Sequence, residues 1–411
     1  MPREGQSDSS GARAASAGPP GDAAEVFRAF LVLGLTSFGG PVAHLGYFRD
    51  AFVVRRGWLS ERAYADLVAL CQFLPGPASS QVGMAIGLMR AGPAGMLAAW
   101  TAFTLPSAIL LVAFAYGAAA LGGEAGTGWI AGLKAAAVAV VAHAVLGMAR
   151  SLAPDRERAT IAVGGMILAM LVPGAAGQVG VILLGGLAGL ACLSPPERDD
   201  DPHDRLAVPV RRRTALVCLG VFGALLLALP LLAAAGGAAL ALVDGFYRAG
   251  ALVFGGGHVV LPLLQAEVVG TGMVEREAFL AGYGAAQAVP GPLFTFAAYL
   301  GAVHEVPPTG IAGAALALVA IFLPSALLVP GGLPFWDRLR GAPTIRRAML
   351  GVNAAVVGLL AAALYDPVFT AGVTSAGTMA IAAAAFVALL SWRAPAWAVV
   401  VAAGAAGFAL A

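Results

Sequence analysis

The stretch Gln72-Phe73-Leu74-Pro75-Gly76-Pro77-Ala78-Ser79-Ser80 sets two prolines around a glycine inside an apolar segment, and Gln287-Ala288-Val289-Pro290-Gly291-Pro292 does so again. Proline has no N–H to give and its ring collides with the preceding turn. Each triplet therefore ends one helix and lets another begin at its second proline. In hydrocarbon, backbone left bare in this way is tolerated only where protein or a water-filled cavity receives it. The paired breaks are where this chain is expected to work.

The surroundings of the breaks are those of a membrane protein. Hydrophobic residues make up 60% of the chain and charged residues 11%, with a mean hydropathy of +0.86, whereas soluble domains carry roughly 25% charge. Apolar runs of about 20 residues recur along the chain, each enough to cross a bilayer. The expected fold is an all-α polytopic membrane protein. A net charge of +2 says nothing about nucleic acid, but no basic block interleaved with aromatics appears, so no nucleic-acid partner is expected and the expected surroundings are the lipid bilayer. Cys71, Cys192 and Cys218 have no metal-type spacing and suit reduced thiols. No P-loop, nucleophile elbow or cluster of metal ligands is seen, so no cofactor, metal or ATP-driven step is expected. A membrane-embedded hydrolase using Ser and His is the reading from another class, and it leaves the symmetric breaks without a purpose.

Working outward, the order of features repeats. Phe38-Gly39-Gly40-Pro41 returns 216 positions later as Phe254-Gly255-Gly256-Gly257, and Pro75 returns 215 positions later as Pro290. Leu105-Pro106-Ser107 returns as Leu323-Pro324-Ser325, 218 positions on. The chain is read as a disordered tail over 1–22, a first repeat over 23–193 and a hydrophilic cytoplasmic linker over 194–213. A connecting transmembrane helix over 214–243 then leads to a second repeat over 244–366 and C-terminal transmembrane helices over 367–411. Cytoplasmic loops collect Lys and Arg. If each interrupted element is a re-entrant hairpin, only Arg248 and Arg276 fall on the outer side, and the tail and linker are cytoplasmic. If each interrupted element crosses instead, Arg49, Arg55, Arg56, Arg62 and Arg248 fall outside, which fits less well. Under both readings an odd number of crossings separates equivalent points. The halves are then inverted relative to one another, the arrangement that places a transport site at the repeat interface.

The candidate site residues follow from the breaks. Gly76 and Gly291 can take unusual backbone angles, and Pro77 and Pro292 suit the first position of a half-helix. Ser79, Ser80 and Thr295 then lie beside free N–H groups at the positive end of a helix dipole, which favours an anion; the plain alternative is a packing kink. Phe38, Gly39, Gly40, Gly255, Gly256 and Gly257 offer amides for close approach, or simply close helix packing. His44 and His258 could sense protons or donate to an anion, or could be bonded to neighbouring carbonyls. Gln72 and Gln287, repeat partners just before Pro75 and Pro290, are candidate donors, and Gln81 is a weaker one. Lys134 aligns with Asn353; an intramembrane Lys is costly, but Trp129 marks an interface to which it can snorkel. Arg49, Arg55, Arg56 and Arg62 could funnel anions or contact lipid headgroups.

On these motifs the sequence resembles the chromate transporter family in its long two-domain form. The resemblance rests on Leu35-Thr36-Ser37-Phe38-Gly39-Gly40-Pro41-Val42-Ala43-His44, on Gln72 to Gln81, and on Phe254-Gly255-Gly256-Gly257-His258-Val259-Val260-Leu261-Pro262. It continues through Ala286-Gln287-Ala288-Val289-Pro290-Gly291-Pro292-Leu293-Phe294-Thr295 and Gly351-Val352-Asn353-Ala354-Ala355-Val356-Val357-Gly358. It implies efflux of chromate across a bacterial inner membrane, conferring chromate resistance, with sulfate as the look-alike dianion. It also implies coupling either to protons or to anion exchange, and is compatible with a homodimer.

Overall fold

The computed structural model describes residues 21–120, 124–194, 210–254, 257–340 and 342–410. The expected tail save its last two residues, most of the expected linker, and Gly255 and Gly256 lie outside them. Among the described residues every regular element is helical, and five helices are long and apolar enough to cross a membrane. The protein is all-α.

The first repeat opens with α1 (Ala23–Thr36), α2 (Gly40–Arg49, continued by a π turn over Asp50–Arg55) and α3 (Glu61–Phe73), followed by α4 (Ala78–Ala120). Local chemistry sets these ends. Gly39, at φ 105°, turns the chain into α2, where Pro41 sits in the first turn. The Ser60 hydroxyl accepts the Ala63 N–H to cap α3. Within α4 the backbone leaves helical geometry at Ala91 and at Gly92, with φ 64°, just before Pro93. It is a half-helix up to Arg90 followed by a membrane-length helix.

Three contacts decide the path of these pieces. The Gly21 N–H donates to the Arg90 carbonyl at 3.0 Å, the Arg90 guanidinium pairs with Glu25 at 3.2 Å, and it lies 5.0 Å over the Trp58 ring. The start of α1, the turn after α2 and the end of the half-helix thus meet on one face, here the linker face. The chain enters from that face and returns to it twice, as two re-entrant hairpins.

Next come α5 (Glu124–Leu152), α6 (Arg156–Leu171), α7 (Ala175–Cys192) and α8 (Arg212–Ala235). The sequence predicts a single helix to residue 243, but Gly236-Gly237 stops α8 and α9 (Ala238–Ala251) begins anew as the counterpart of α1. A 3-10 turn over Gly257–Val259 leads into α10 (Val260–Leu264) and a π turn over Gln265–Val269, then α11 (Arg276–Ala286) and α12 (Phe296–Ala302). The Glu305 N–H donates to the Met273 carbonyl and the Tyr299 hydroxyl to the Ala278 carbonyl at 3.0 Å, closing a hairpin of α11 and α12. Arg248 on α9 reaches Glu267 after α10 at 2.7 Å, closing the other. Gly310, which follows α12, sits against the Tyr116 hydroxyl at the distal end of α4. The second pair of hairpins therefore opens on the far face, and the repeats are inverted. α8 has no counterpart in the first repeat; it supplies the extra crossing that reverses the second.

The remaining helices are α13 (Gly310–Gly332), α14 (Trp336–Arg340), α15 (Pro343–Ala363), α16 (Thr370–Gly372), α17 (Ala376–Leu390) and α18 (Ala396–Leu410). A single helix is predicted over 368–391, but a Ser375–Thr378 capping box starts α17 afresh. α6 and α7 pack on α15, while α17 and α18 pack on α5, so each repeat is held by the other's last helices. With no hydrophobic drive between helices in lipid, close backbone contact does the holding. A Cβ on Gly351 would stand 2.1 Å from the Gly185 carbonyl oxygen, one on Gly358 1.9 Å from that of Ala162, and one on Gly132 2.1 Å from that of Ala403. Gly351→Val is expected to lower stability by about 1–3 kcal/mol, read as a fall in Tm of the purified protein in detergent. An unchanged Tm would mean that the α7–α15 seam is slack.

Candidate functional site

The two Pro-Gly-Pro breaks lie at hairpin tips and interlock across the repeats. The Gly76 N–H donates to the Val253 carbonyl at 2.7 Å, and the Gly291 N–H donates to the Ser37 carbonyl at 2.9 Å. Ser37 and Val253 are repeat partners that follow the ends of α1 and α9. Each break therefore satisfies a carbonyl that its partner's broken helix leaves open. Serines of the repeated Leu-Pro-Ser motif brace the same points. A Cβ on Gly76 would lie 2.5 Å from the Ser325 hydroxyl, and one on Gly291 2.8 Å from that of Ser107. Gln81 adds a donor to the Pro75 carbonyl at 2.6 Å and to the Ser325 hydroxyl at 3.2 Å.

The Gly-rich breaks also meet. A Cβ on Gly257 would stand 2.8 Å from Pro41, and one on Gly40 3.9 Å from the His258 Nε2. Beside this junction opens a cavity of about 510 Å³ whose lining includes Gly39, Gly40, His258, Gln287 and Gly291, together with His143, Arg150 and Arg393. Arg150 ends α5 and Arg393 follows α17, so the cavity opens toward the linker face. Gly39 and Gly40, which border it, lead into the first turn of α2, where the leading N–H groups of a helix have no intrahelical partner. The Gln287 Nε2 is buried without a partner, and the His258 Nδ1 lies 3.0 Å from the Tyr283 hydroxyl. These donors share the wall of the chamber with apolar side chains, among them Val140, Val289, Leu293, Leu389 and Leu390.

Of the residues singled out from sequence, Gly39, Gly40, His258, Gln287 and Gly291 border this cavity. The others described lie off it. Phe38 packs on Trp397, with ring centroids 5.9 Å apart. His44 is 1% exposed, with its Nδ1 3.4 Å from the Ser79 hydroxyl and its Nε2 buried without a partner. The Ser80 hydroxyl and the Asn353 Oδ1 are likewise buried and unpartnered. The Thr295 hydroxyl donates to the Pro292 carbonyl at 2.8 Å. Gln72 is exposed, while Pro75, Pro77 and Pro290 frame the tips. The amides of Gly76 and Gly291, expected to face a ligand, are engaged by carbonyls of the opposite repeat. Gly255 and Gly256 fall outside the described residues.

The basic residues regroup. The expected funnel is largely paired: Arg49 with Glu61 at 2.5 Å and Arg55 with Asp50 at 2.6 Å, while Arg56 lies over Trp58. The cavity mouth instead carries Arg150 and Arg393, which sequence reasoning missed. Arg393 left one signal in the backbone: among the described residues it is the one non-glycine with positive φ, at 54°, a conformation that costs about 1–2 kcal/mol per residue. His143 was missed as well, since it lies in a helix without a break. Ser107 and Ser325 were legible only as repeat landmarks.

With the geometry in place, comparison with known proteins gives a consistent result. The family model described as chromate transporter matches residues 24–190 and 240–408, so its second match runs through α18. A chromate transport protein of Pseudomonas aeruginosa is 28% identical over 408 residues, covering 91% of this chain and 89% of that protein. A probable chromate transport protein of Synechococcus elongatus is 28% identical over 347 residues, with 82% of each covered. A chromate transport protein of Cupriavidus metallidurans is 26% identical over 343 residues, covering 82% of this chain and 80% of that protein. No solved structure matches the chain significantly.

Proposed function

Because the chain belongs to the chromate transporter family, we propose that it carries chromate across the membrane by alternating access through the cavity at the hairpin tips. The observation that carries this reading is the meeting of both Gly-rich breaks and the second Pro-Gly-Pro break at one donor-lined chamber. A tetrahedral dianion entering it exchanges its water shell for the N–H groups at the start of α2, for the Gln287 amide and for the His258 Nε2. The Tyr283 hydroxyl lies 3.0 Å from Nδ1, and in the tautomer in which it donates there the ring proton is carried on Nε2, the nitrogen nearer Gly40. The positive end of the α2 dipole adds to the attraction without a fixed charge at the centre. Arg150 and Arg393 draw the anion to the mouth. The interlocked Pro-Gly-Pro tips then serve as the bearing on which one repeat rocks against the other, so that the chamber closes to the linker face and opens to the far one.

Basic residues gathered on the linker face make that face cytoplasmic in a bacterial inner membrane, and the chamber then loads from the cytoplasm for export. Sulfate shares the shape and charge of chromate and is the alternative substrate; a hydrolase reading gains no support, because the Ser79–His44 pair is walled off from the chamber. Purified protein in liposomes should take up labelled chromate, and sulfate and molybdate should compete. No chromate flux would overturn the reading. Sulfate flux well above that of chromate would make the protein a sulfate carrier.

A further inference from the structure

A second group of charges sits at the opposite end of the molecule from the cavity mouth. Asp244 on α9 and Glu267 in the π turn after α10 both bond the same nitrogen of Arg248, at 2.9 Å and 2.7 Å. The two carboxylate side chains are 6% and 7% exposed, and that of Arg248 is 28% exposed. Two acids on one guanidinium leave an excess negative charge in a buried place, where two neighbouring carboxylates do not both stay ionised cheaply. The Asp244 Oδ1 is buried without a partner, a vacant acceptor position on a member of the cluster, and the Arg248 Nε is buried without one as well.

The neighbours supply no second cation. α10 and α13, packed against α9, contain no ionisable residue. α8 has Cys218 and, at its far end, Arg212 and Arg213. α11 begins with Arg276, which pairs with Asp366, and Glu277. Thr271 donates to the Glu267 carbonyl and leaves its carboxylate untouched. The first repeat has nothing equivalent: the exposed Arg28 and Val32 stand at the positions of Asp244 and Arg248, and Asp50, near the position of Glu267, pairs with the exposed Arg55. The inverted halves are alike at their breaks and unlike here.

We propose that the Asp244–Arg248–Glu267 cluster is a proton-binding site, loaded from the far face, that couples anion movement to a proton gradient; this rests on the transport reading above. One proton from far-face water, reached past the partly exposed Arg248, adds to a carboxylate and removes the excess charge. The cluster ties together the two legs of the α9–α10 hairpin, whose tip carries His258 at the anion chamber. Neutralising one carboxylate loosens Arg248 from it and frees that hairpin to shift. When the hairpin returns, the proton is released toward the linker face, so each cycle moves one proton inward from the far face against one anion moving outward.

The test is made in proteoliposomes with two readouts: chromate accumulation driven by a pH gradient, and chromate–chromate exchange at equal pH. For Glu267→Gln the gradient-driven signal should fall at least about tenfold while exchange stays within about twofold of wild type, and Asp244→Asn should behave alike. Gradient-driven accumulation at the wild-type level in both variants would overturn the proposal. So would equal loss of both readouts, which marks a structural clamp. Wild-type exchange indifferent to the gradient would also overturn it, leaving transport itself intact. Wild-type protein that moves no chromate in either assay would instead defeat the transport reading.

Discussion

Gly76→Ala and Gly291→Ala should each reduce chromate flux more than tenfold while the protein still inserts and runs as a monodisperse species. The reason is local and doubled. Gly76 has φ 124° and Gly291 φ 95°, where an L side chain is strained by about 1–2 kcal/mol. The added methyl on Gly76 would also stand 2.5 Å from both the Gln81 Nε2 and the Ser325 hydroxyl; on Gly291 it would stand 3.1 Å from the Phe103 carbonyl. Such overpacking typically costs about 1–3 kcal/mol, and each 1.36 kcal/mol placed on a transport barrier is about a tenfold change in rate. The strain falls on the contacts between repeats, Gly76 with Val253 and Gly291 with Ser37, which are the ones that rocking has to preserve. Gly76→Ala combined with Ser325→Ala should recover only part of the loss, since the backbone strain stays. Flux at the wild-type level in either single variant would remove the interlock from the mechanism. The larger Gly76→Leu and Gly291→Leu changes should abolish flux altogether.

Removing the charges at the cavity mouth should act on a different kinetic constant. Arg150→Gln with Arg393→Gln should raise the KM for chromate entering from the linker face by about tenfold and leave the maximal rate within about twofold. Each arginine is exposed, so its attraction for a dianion is modest and screened by salt over a Debye length of about 8 Å at physiological ionic strength. The wild-type KM should therefore rise with added inert salt, and that of the double variant should stay flat. A salt-independent wild-type KM would show that the arginines play no part in recruitment. Replacing Arg49 and Arg55 in the same assay should change little, because Glu61 and Asp50 already hold them.

What the sequence determined by itself was whatever a residue imposes on its own backbone. Proline without an N–H and glycine free to take positive φ mark the breaks at 38–41, 75–77 and 290–292, and the structure bends at each of them. Their spacing reveals two repeats, and the arginine distribution favours re-entrant hairpins, the path that the Gly21–Arg90 and Arg90–Trp58 contacts trace. Tertiary structure alone decided which donors remain free. A glycine amide at a break looks available in sequence, yet those of Gly76 and Gly291 are engaged by carbonyls on the opposite repeat, a pairing that exists only once the halves interlock. Tertiary structure also broke the symmetry of the pairs. Gln72 matches Gln287 in sequence, and His44, like His258, follows a Gly-rich break, but only the second-repeat members border the chamber. Arg150 and Arg393 have no local signature as a pair, because what joins them is the packing of α17 and α18 on α5. Covalent constraint is written residue by residue, whereas a binding chamber is the space left over when distant helices have finished packing.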